Sequence, residues 1–344
     1  MKSLLRKLGA FGGTRLPPSI FDLLKGYRAT CVLVTATQLG IFEALREGPL
    51  RAEELAHTLG AHEPSLTRLL RALEALGLLE NRDRSVGLTR RGRGLLAGET
   101  SAPEFARLTA EEYLAAWSNL RHSVLTGEPA FDHAFGMTVW QHRREDSELN
   151  ECFNRYMQHN ESRMLSIIPT VYDFARYGEI VDVGGGHGHL LAAILTAHPR
   201  AHGILLDQPH VIEGAASVLE AVGVRERCRL VGGSFLTSVP GGGDLYILQK
   251  VLHNWDDDSC AKILQSCRAQ LRMNSRLLII EALMPESVGD DVEVVMRDLH
   301  MLALHRGRKR TAAELEALLA AAGFELLRCG QIPTGAHLLE AALG

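Results

Sequence analysis

Four ionisable side chains stand where the sequence pattern changes, and their types suggest acid–base chemistry beside a bound cation. His253 lies in Leu252-His253-Asn254-Trp255, just after an apolar run, and histidine is the usual general base near neutral pH. Glu281 ends the run Arg276–Ile280, where a carboxylate can hold a histidine tautomer by hydrogen bond. The plainer readings are a structural histidine capping a sheet and an exposed strand end. Asp182 sits two residues before a glycine cluster, a place where it would repel a pyrophosphate but suit an ammonium group. Asp207 follows Gly203-Ile204-Leu205-Leu206, about twenty residues further on, where a ribose-binding carboxylate belongs.

The glycines decide which ligand fits. A dinucleotide loop needs glycines at relative positions one, three and six. Counted from Gly184, the sixth position is His189, so that spacing fails; Gly184, Gly186 and Gly188 give G-x-G-x-G instead. No Gly-Lys-Ser/Thr follows, which excludes a P-loop. A ligand with a ribose and a cationic end but no phosphate points to S-adenosylmethionine. A glycine turn with no ligand is the alternative.

These residues need a scaffold that gathers strand ends. Glu179–Val183, the glycines and Leu190–Leu195 read as strand, tight turn and helix. Further strands are expected at 203–206, 229–231, 244–248 and 276–280, with helices between. Two more, 324–329 and 337–341, are joined by Pro333-Thr334-Gly335, too short for a parallel crossover, so they form an antiparallel edge hairpin. The fold class is α/β, a Rossmann-like, mostly parallel sheet of about seven strands. Ligands of such sheets bind beyond the carboxyl ends of the strands. Asp182, Asp207, Gly233-Ser234-Phe235, Gln249 to His253 and Glu281 should therefore converge on one cleft. Phe235 suits either core packing or stacking on adenine. The acidic trio Asp256 to Asp258 precedes a helical stretch and reads as an N-cap rather than a metal site; no metal is expected.

A chain of 344 residues has room for two domains, and a net charge of −4 sets up no field for nucleic acid or anionic membrane. Six scattered cysteines without a C-x-x-C pair favour a reducing compartment. Met1 to Leu8 carries Lys2, Arg6 and Lys7 but no apolar core of signal length, and no apolar run is long enough for a membrane span. A cytoplasmic protein is expected. Residues 1–100 read as a winged-helix-like domain: an apolar helical tract at Ile20–Leu45 broken near Gly40, a short helix, a longer one with Leu66, Leu69, Leu70, Leu73 and Leu76 on one stripe, and a hairpin around Asn81–Arg84. Such a domain either dimerises or binds DNA, the latter through Arg68, Arg71, Arg82, Arg84, Arg90 and Arg91; Glu63 and Glu74 among these arginines argue against DNA. Residues 101–177 read as a helical linker lining a substrate cleft, and 178–344 as the α/β domain. Trp117, Phe131, Trp140, His300 and Met301 are aromatic and soft side chains suited to a flat acceptor ring, with His300 a second candidate base.

Nearly the whole chain resembles the small-molecule O-methyltransferases of the caffeic acid and hydroxyindole O-methyltransferase family. The carriers are Thr126-Gly127-Glu128-Pro129-Ala130-Phe131, Phe153-Asn154 with Met157, Val181-Asp182-Val183-Gly184-Gly185-Gly186, Val251-Leu252-His253-Asn254-Trp255, and Asp298-Leu299 with Met301. The resemblance implies a class I methyltransferase domain using S-adenosylmethionine, with Asp207 on the ribose, Gly233, Ser234 and Phe235 along the adenine, and His253 as proton acceptor. It also implies a phenolic, small aromatic substrate and an N-terminal domain that makes a homodimer. The chain departs from the family at Ser234, usually aspartate, at Gln249, commonly lysine, and at Lys309, where many members carry a second carboxylate. A cation at 309 lowers the basicity of His253 and leaves Glu281 to act alone. That departure admits a non-methylating enzyme on the same scaffold, and a winged-helix regulator sensing a small molecule is the remaining alternative.

Overall fold

Strands with aliphatic side chains on both faces need cover on both faces, and this requirement shapes the larger part of the molecule. The computed structural model describes residues 19–287 and 292–344, so the reading of Met1 to Leu8 lies outside the described residues. The chain divides into two units, one running to Ala115 with Arg143–Asn160, the other Ala116–His142 with Glu161–Gly344. The stretch expected as a separate linker, 101–177, is thus shared between the two units. Periodicity could not show this, because helices serving different cores look alike in sequence.

The first unit holds a small antiparallel sheet of β1 (Leu50–Arg51), β2 (Leu79–Arg82) and β3 (Ser85–Leu88), in the order β1-β3-β2. Asp83 and Arg84 both take positive φ, 51° and 64°, the backbone that lets a two-residue turn match the twist of its strands. Strand β1 was not anticipated; two residues are too few to show alternation. The apolar tract from Ile20 breaks twice, into Ile20–Leu24, Gly26–Gln38 and Ile41–Ala44, with Gly40 at φ 74° making the second break. On the helix Glu63–Ala75, Leu66, Leu70 and Leu73 are buried, with Leu69 and Leu76 packed beside them.

The second unit is built on seven strands: β4 (Glu179–Val183), β5 (His202–Asp207), β6 (Cys228–Gly232), β7 (Leu245–Gln249), β8 (Arg276–Glu281), β9 (Phe324–Gln331) and β10 (His337–Leu343). Their order is β6-β5-β4-β7-β8-β10-β9. The first five are parallel, and β10 runs antiparallel to both β8 and β9. Alternate residues feed two cores: Ile180, Leu245, Ile247, Leu278 and Ile280 on one face, Val181, Val183, Tyr246, Leu248 and Ile279 on the other. Each fully buried aliphatic side chain of this kind contributes about 1.5–3 kcal/mol. The direction of strand addition reverses between β4 and β7, which opens a crevice at their carboxyl ends.

Candidate active site

Register puts the key residues side by side. Val183 pairs with Leu206, Asp207 with Gly232, and Gln249 with Ile280, so the ends of β4 to β8 lie along one edge of the sheet. Just past β7 the chain turns through Lys250, whose φ of 53° is left-handed and costs about 1–3 kcal/mol for a side chain of this size. The Lys250 amide donates to the Ile280 carbonyl at 2.9 Å, which ties this turn to β8. A single helical turn, Leu252–Asn254, then carries the histidine.

His253 and Glu281 form a tight pair. Nδ1 of the imidazole lies 2.7 Å from Glu281 Oε2, and the His253 amide donates to Oε1 at 3.3 Å. The carboxylate is nearly buried, so it accepts from both groups on one residue and fixes ring position as well as tautomer. With Nδ1 the donor, Nε2 carries the lone pair. Burial pushes the imidazole below its ordinary basicity; Glu281 pulls it back up, and the Lys309 and Lys250 charges add to the lowering. Burial works against the charge of Glu281, but His253 and Lys309 outweigh it and hold this carboxyl below its usual range. The pair is therefore a neutral imidazole on an ionised carboxylate.

The turn that bears His253 is clamped from behind, through residues the sequence did not single out. Arg310 is buried; it donates to the carbonyls of Leu252 (2.9 Å) and Trp255 (2.8 Å) and pairs with Asp257 at 2.7 Å. Arg308 reaches the same carboxylate. Asp256 does cap the following helix, accepting from the Ser259 amide at 2.7 Å, whereas Asp257 belongs to the arginine clamp. Gly307 packs so close that an added Cβ would strike the His253 carbonyl and Asn254. A lone arginine and a lone glycine more than fifty residues from the histidine carry no local signal.

The other half of the edge is a cradle made by main chain. Gly184 and Gly186 have φ of 72° and 60°, and the space around Gly186 is open. The Gly186 amide donates to Asp207 at 2.8 Å, and the Gln208 amide donates to the other carboxylate oxygen at 2.7 Å. Burial raises the Asp207 carboxyl against the pull of these two donors. Phe235 lies against Gly184, 3.0 Å from where a Cβ would stand, and meets Trp255 edge to face at 5.8 Å. Among the described residues Gln249 Nε2 is buried without a hydrogen-bond partner, so this amide can donate to a ligand. Gly185 is the most confined of the three: a Cβ there would collide with the Asp182 carboxyl and Leu205. Gly188, expected at the ligand, is instead buried against Leu205 at the start of the helix His189–Ala197, so its smallness serves packing. Ser234 is exposed, and its hydroxyl accepts from the Leu236 amide.

An adenosyl sulfonium fits this set: a carboxylate positioned at the loop, an aromatic face, an unpartnered amide, and Asp182 buried at the end of β4.

Among the expected acceptor residues, Trp117 donates from its indole nitrogen to His300 Nδ1 at 3.0 Å, with the rings stacked. That bond uses Nδ1 as an acceptor, so His300 offers no base at that atom. Trp140 stacks on His305 at 5.0 Å, and Met301 is half-buried on the same helix as His300, Val292–Leu304. Phe131 has no exposed surface and packs on Phe135 and His142, so it is a core side chain rather than a ring contact. Met157 belongs to the first unit, half-buried on the helix Ser147–Val171. A cavity of about 230 Å³ lies in the first unit, and none of the expected site residues lines it.

Comparison with known proteins identifies the family. Residues 117–325 match the O-methyltransferase domain family, and residues 21–98 match the O-methyltransferase dimerisation domain. A phenazine O-methyltransferase of Lysobacter antibioticus is 36% identical over 96% of this chain and 97% of its own length. The solved structure of a mitomycin 7-O-methyltransferase superposes with a TM-score of 0.90 at 35% identity, covering 94% of this chain and 97% of the other. An O-methyltransferase from neocarzinostatin biosynthesis, solved with S-adenosylmethionine and 2-hydroxy-5-methyl naphthoic acid, gives 0.85 at 31% identity, covering 98% of this chain and 100% of the other.

Proposed function

This chain belongs to the O-methyltransferase family and uses S-adenosylmethionine, and on that premise we propose that it methylates a phenolic hydroxyl of a small aromatic compound with His253 as the base. The observation that carries the assignment of the base is the Glu281–His253 pair, an imidazole whose tautomer is fixed with its lone pair on Nε2. S-adenosylmethionine, when bound, supplies an electrophilic methyl on its sulfonium. Gly186, Asp207, Phe235 and Gln249 are the residues to hold it, with Asp182 at the cationic end. The relatives support methyl transfer rather than the non-methylating alternative.

A phenol of pKa about 10 gives its proton to a free histidine of about 6.5 only at a cost of about 5 kcal/mol. The lowered basicity of His253 widens that gap. Nε2 must therefore take the proton as the oxygen bonds to carbon, which is worth about 10²–10⁴ in rate. Trp117, Trp140 and Met301 are the side chains offered to the acceptor ring. The first unit, with its helices and three-stranded sheet, fits a winged-helix module serving a homodimer. Ile20, Phe21, Leu23 and Leu24, all more than half exposed, suit a second copy. No described helix is long and apolar enough to cross a membrane, and the six cysteines are unpaired, which fits a cytoplasmic setting. The test is mass-spectrometric: incubation with S-adenosylmethionine and a phenol panel should add one CH2 to at least one member. A chain that binds the cofactor and methylates none would contradict the reading.

A further inference from the structure

The charge of one lysine reaches the His253–Glu281 pair while its ammonium has no direct partner among the described residues. Lys309 is half-buried, and its main-chain amide is held by Asp298 Oδ1 at 2.6 Å. Among the described residues its ammonium makes no ion pair or hydrogen bond. Glu281, whose two oxygens accept from His253, acts on the Lys309 charge without a direct ion pair among the described residues. Asp298 has one oxygen committed to the Lys309 amide, and Arg297 pairs with Glu293 on the outside of its helix at 2.9 Å. Lys250, in its left-handed turn on the next strand end, also acts on His253. The charges of both lysines thus act on His253. Glu281 and Asp298 favour the charged form of Lys309 and Lys250 and Arg297 oppose it, but none of them meets the ammonium in a direct ion pair.

A half-buried ammonium without a direct partner is unfavourable until something of opposite sign arrives beside it. We infer that Lys309 makes this site select an aromatic acceptor carrying a negative charge at or next to the hydroxyl to be methylated. The charge is either a ring carboxylate beside that hydroxyl or the ionised hydroxyl itself. In both cases the anion sits against a cation in a partly dehydrated place, where one good contact is worth at least a tenfold preference. The same cation disfavours the imidazolium and favours the phenolate, so the acceptor carries part of the work that a second carboxylate would do through the histidine. The lowering of Lys309 basicity by burial is offset when an anion binds beside it.

This inference rests on the proposed methyl transfer and is tested so that the two can fail separately. Protein loaded with S-adenosylhomocysteine is titrated calorimetrically with 3-hydroxy-2-naphthoate, with its methyl ester, and with an acidic nitrophenol set against the unsubstituted phenol; transfer rates from S-adenosylmethionine are measured on the same compounds. At least one anion should bind tenfold or more tighter than its neutral partner. Preference for the naphthoate alone assigns the charge to a carboxylate, and preference for the nitrophenolate alone assigns it to the hydroxyl. In Lys309→Met the preference should fall to about twofold or less while the ester is bound as before, and Lys309→Glu should invert it. Equal binding of charged and neutral partners, or a Lys309→Met variant that weakens both alike, overturns the inference alone. No binding of S-adenosylhomocysteine removes the methyl-transfer reading and the inference with it.

Discussion

The two halves of the sheet edge solve the same positioning problem by opposite means. Around β4 and β5 the ligand site is made of absent side chains and main-chain amides: Gly184, Gly185 and Gly186, with Asp207 fastened to the loop by the Gly186 amide. Around β7 and β8 it is made of ionised side chains: Glu281 on His253, and Arg310 with Asp257 behind the histidine turn. The first half is limited by volume at Gly184 and Gly185, where an added Cβ meets neighbouring side chains. The second is limited by its charged hydrogen bonds, which leave polar groups unpaired when one partner goes.

The largest expected effect lies in the second half. Arg310→Met leaves two carbonyls without their donor and the half-exposed Asp257 with Arg308 alone, and should destabilise the fold by about 2–4 kcal/mol, read from denaturant midpoints. If midpoints barely move, the arginine is not what holds the turn. Gly185→Ala tests the first half. The added methyl must displace Asp182 or Leu205, costing about 1–3 kcal/mol of stability, and cofactor affinity should drop about tenfold or more by calorimetry. Wild-type affinity in that variant would erase the contrast between volume and charge.

Glu281→Gln keeps the shape but frees the imidazole tautomer, and should lower kcat about ten- to hundredfold with cofactor affinity unchanged. It also removes a charge that raises the His253 value, so the acid limb of the pH–rate profile should move further down. In the wild type that limb already belongs below the ordinary histidine value of about 6.5, since a base with lowered pKa stays neutral until the solution is more acid. The stability sign agrees. With a folded value below the unfolded one, neutral His253 adds stability above pH about 6.5 that is lost as pH falls through its lowered folded value. The smallest effect is expected at Trp117→Phe, which removes the bond to His300 and should raise the acceptor KM by a few-fold, about 1 kcal/mol.

The sequence revealed the halves unequally. Strand ends were readable because each apolar run stops at a polar residue, so Asp182, Asp207 and Glu281 could be placed on one edge before any coordinates. His253 followed from its position after a central strand. Arg310 and Gly307 were invisible because their partners are far away in the chain and their local surroundings are ordinary. Gly185 passed as a spacer in G-x-G-x-G, though it is the most crowded of the three glycines; Gly188 passed as a ligand contact, though it packs inward. Phe131 has the right chemistry for an acceptor ring, yet composition cannot tell a buried aromatic cluster from a lined cleft.

Everything turns on whether a neutral imidazole at position 253 takes the acceptor proton. Single-turnover methyl transfer at saturating cofactor, compared between the wild type and His253→Ala, measures this directly. A loss of about 10²–10⁴ in rate with unchanged S-adenosylmethionine affinity is expected; transfer at near wild-type rate around pH 7 would contradict it.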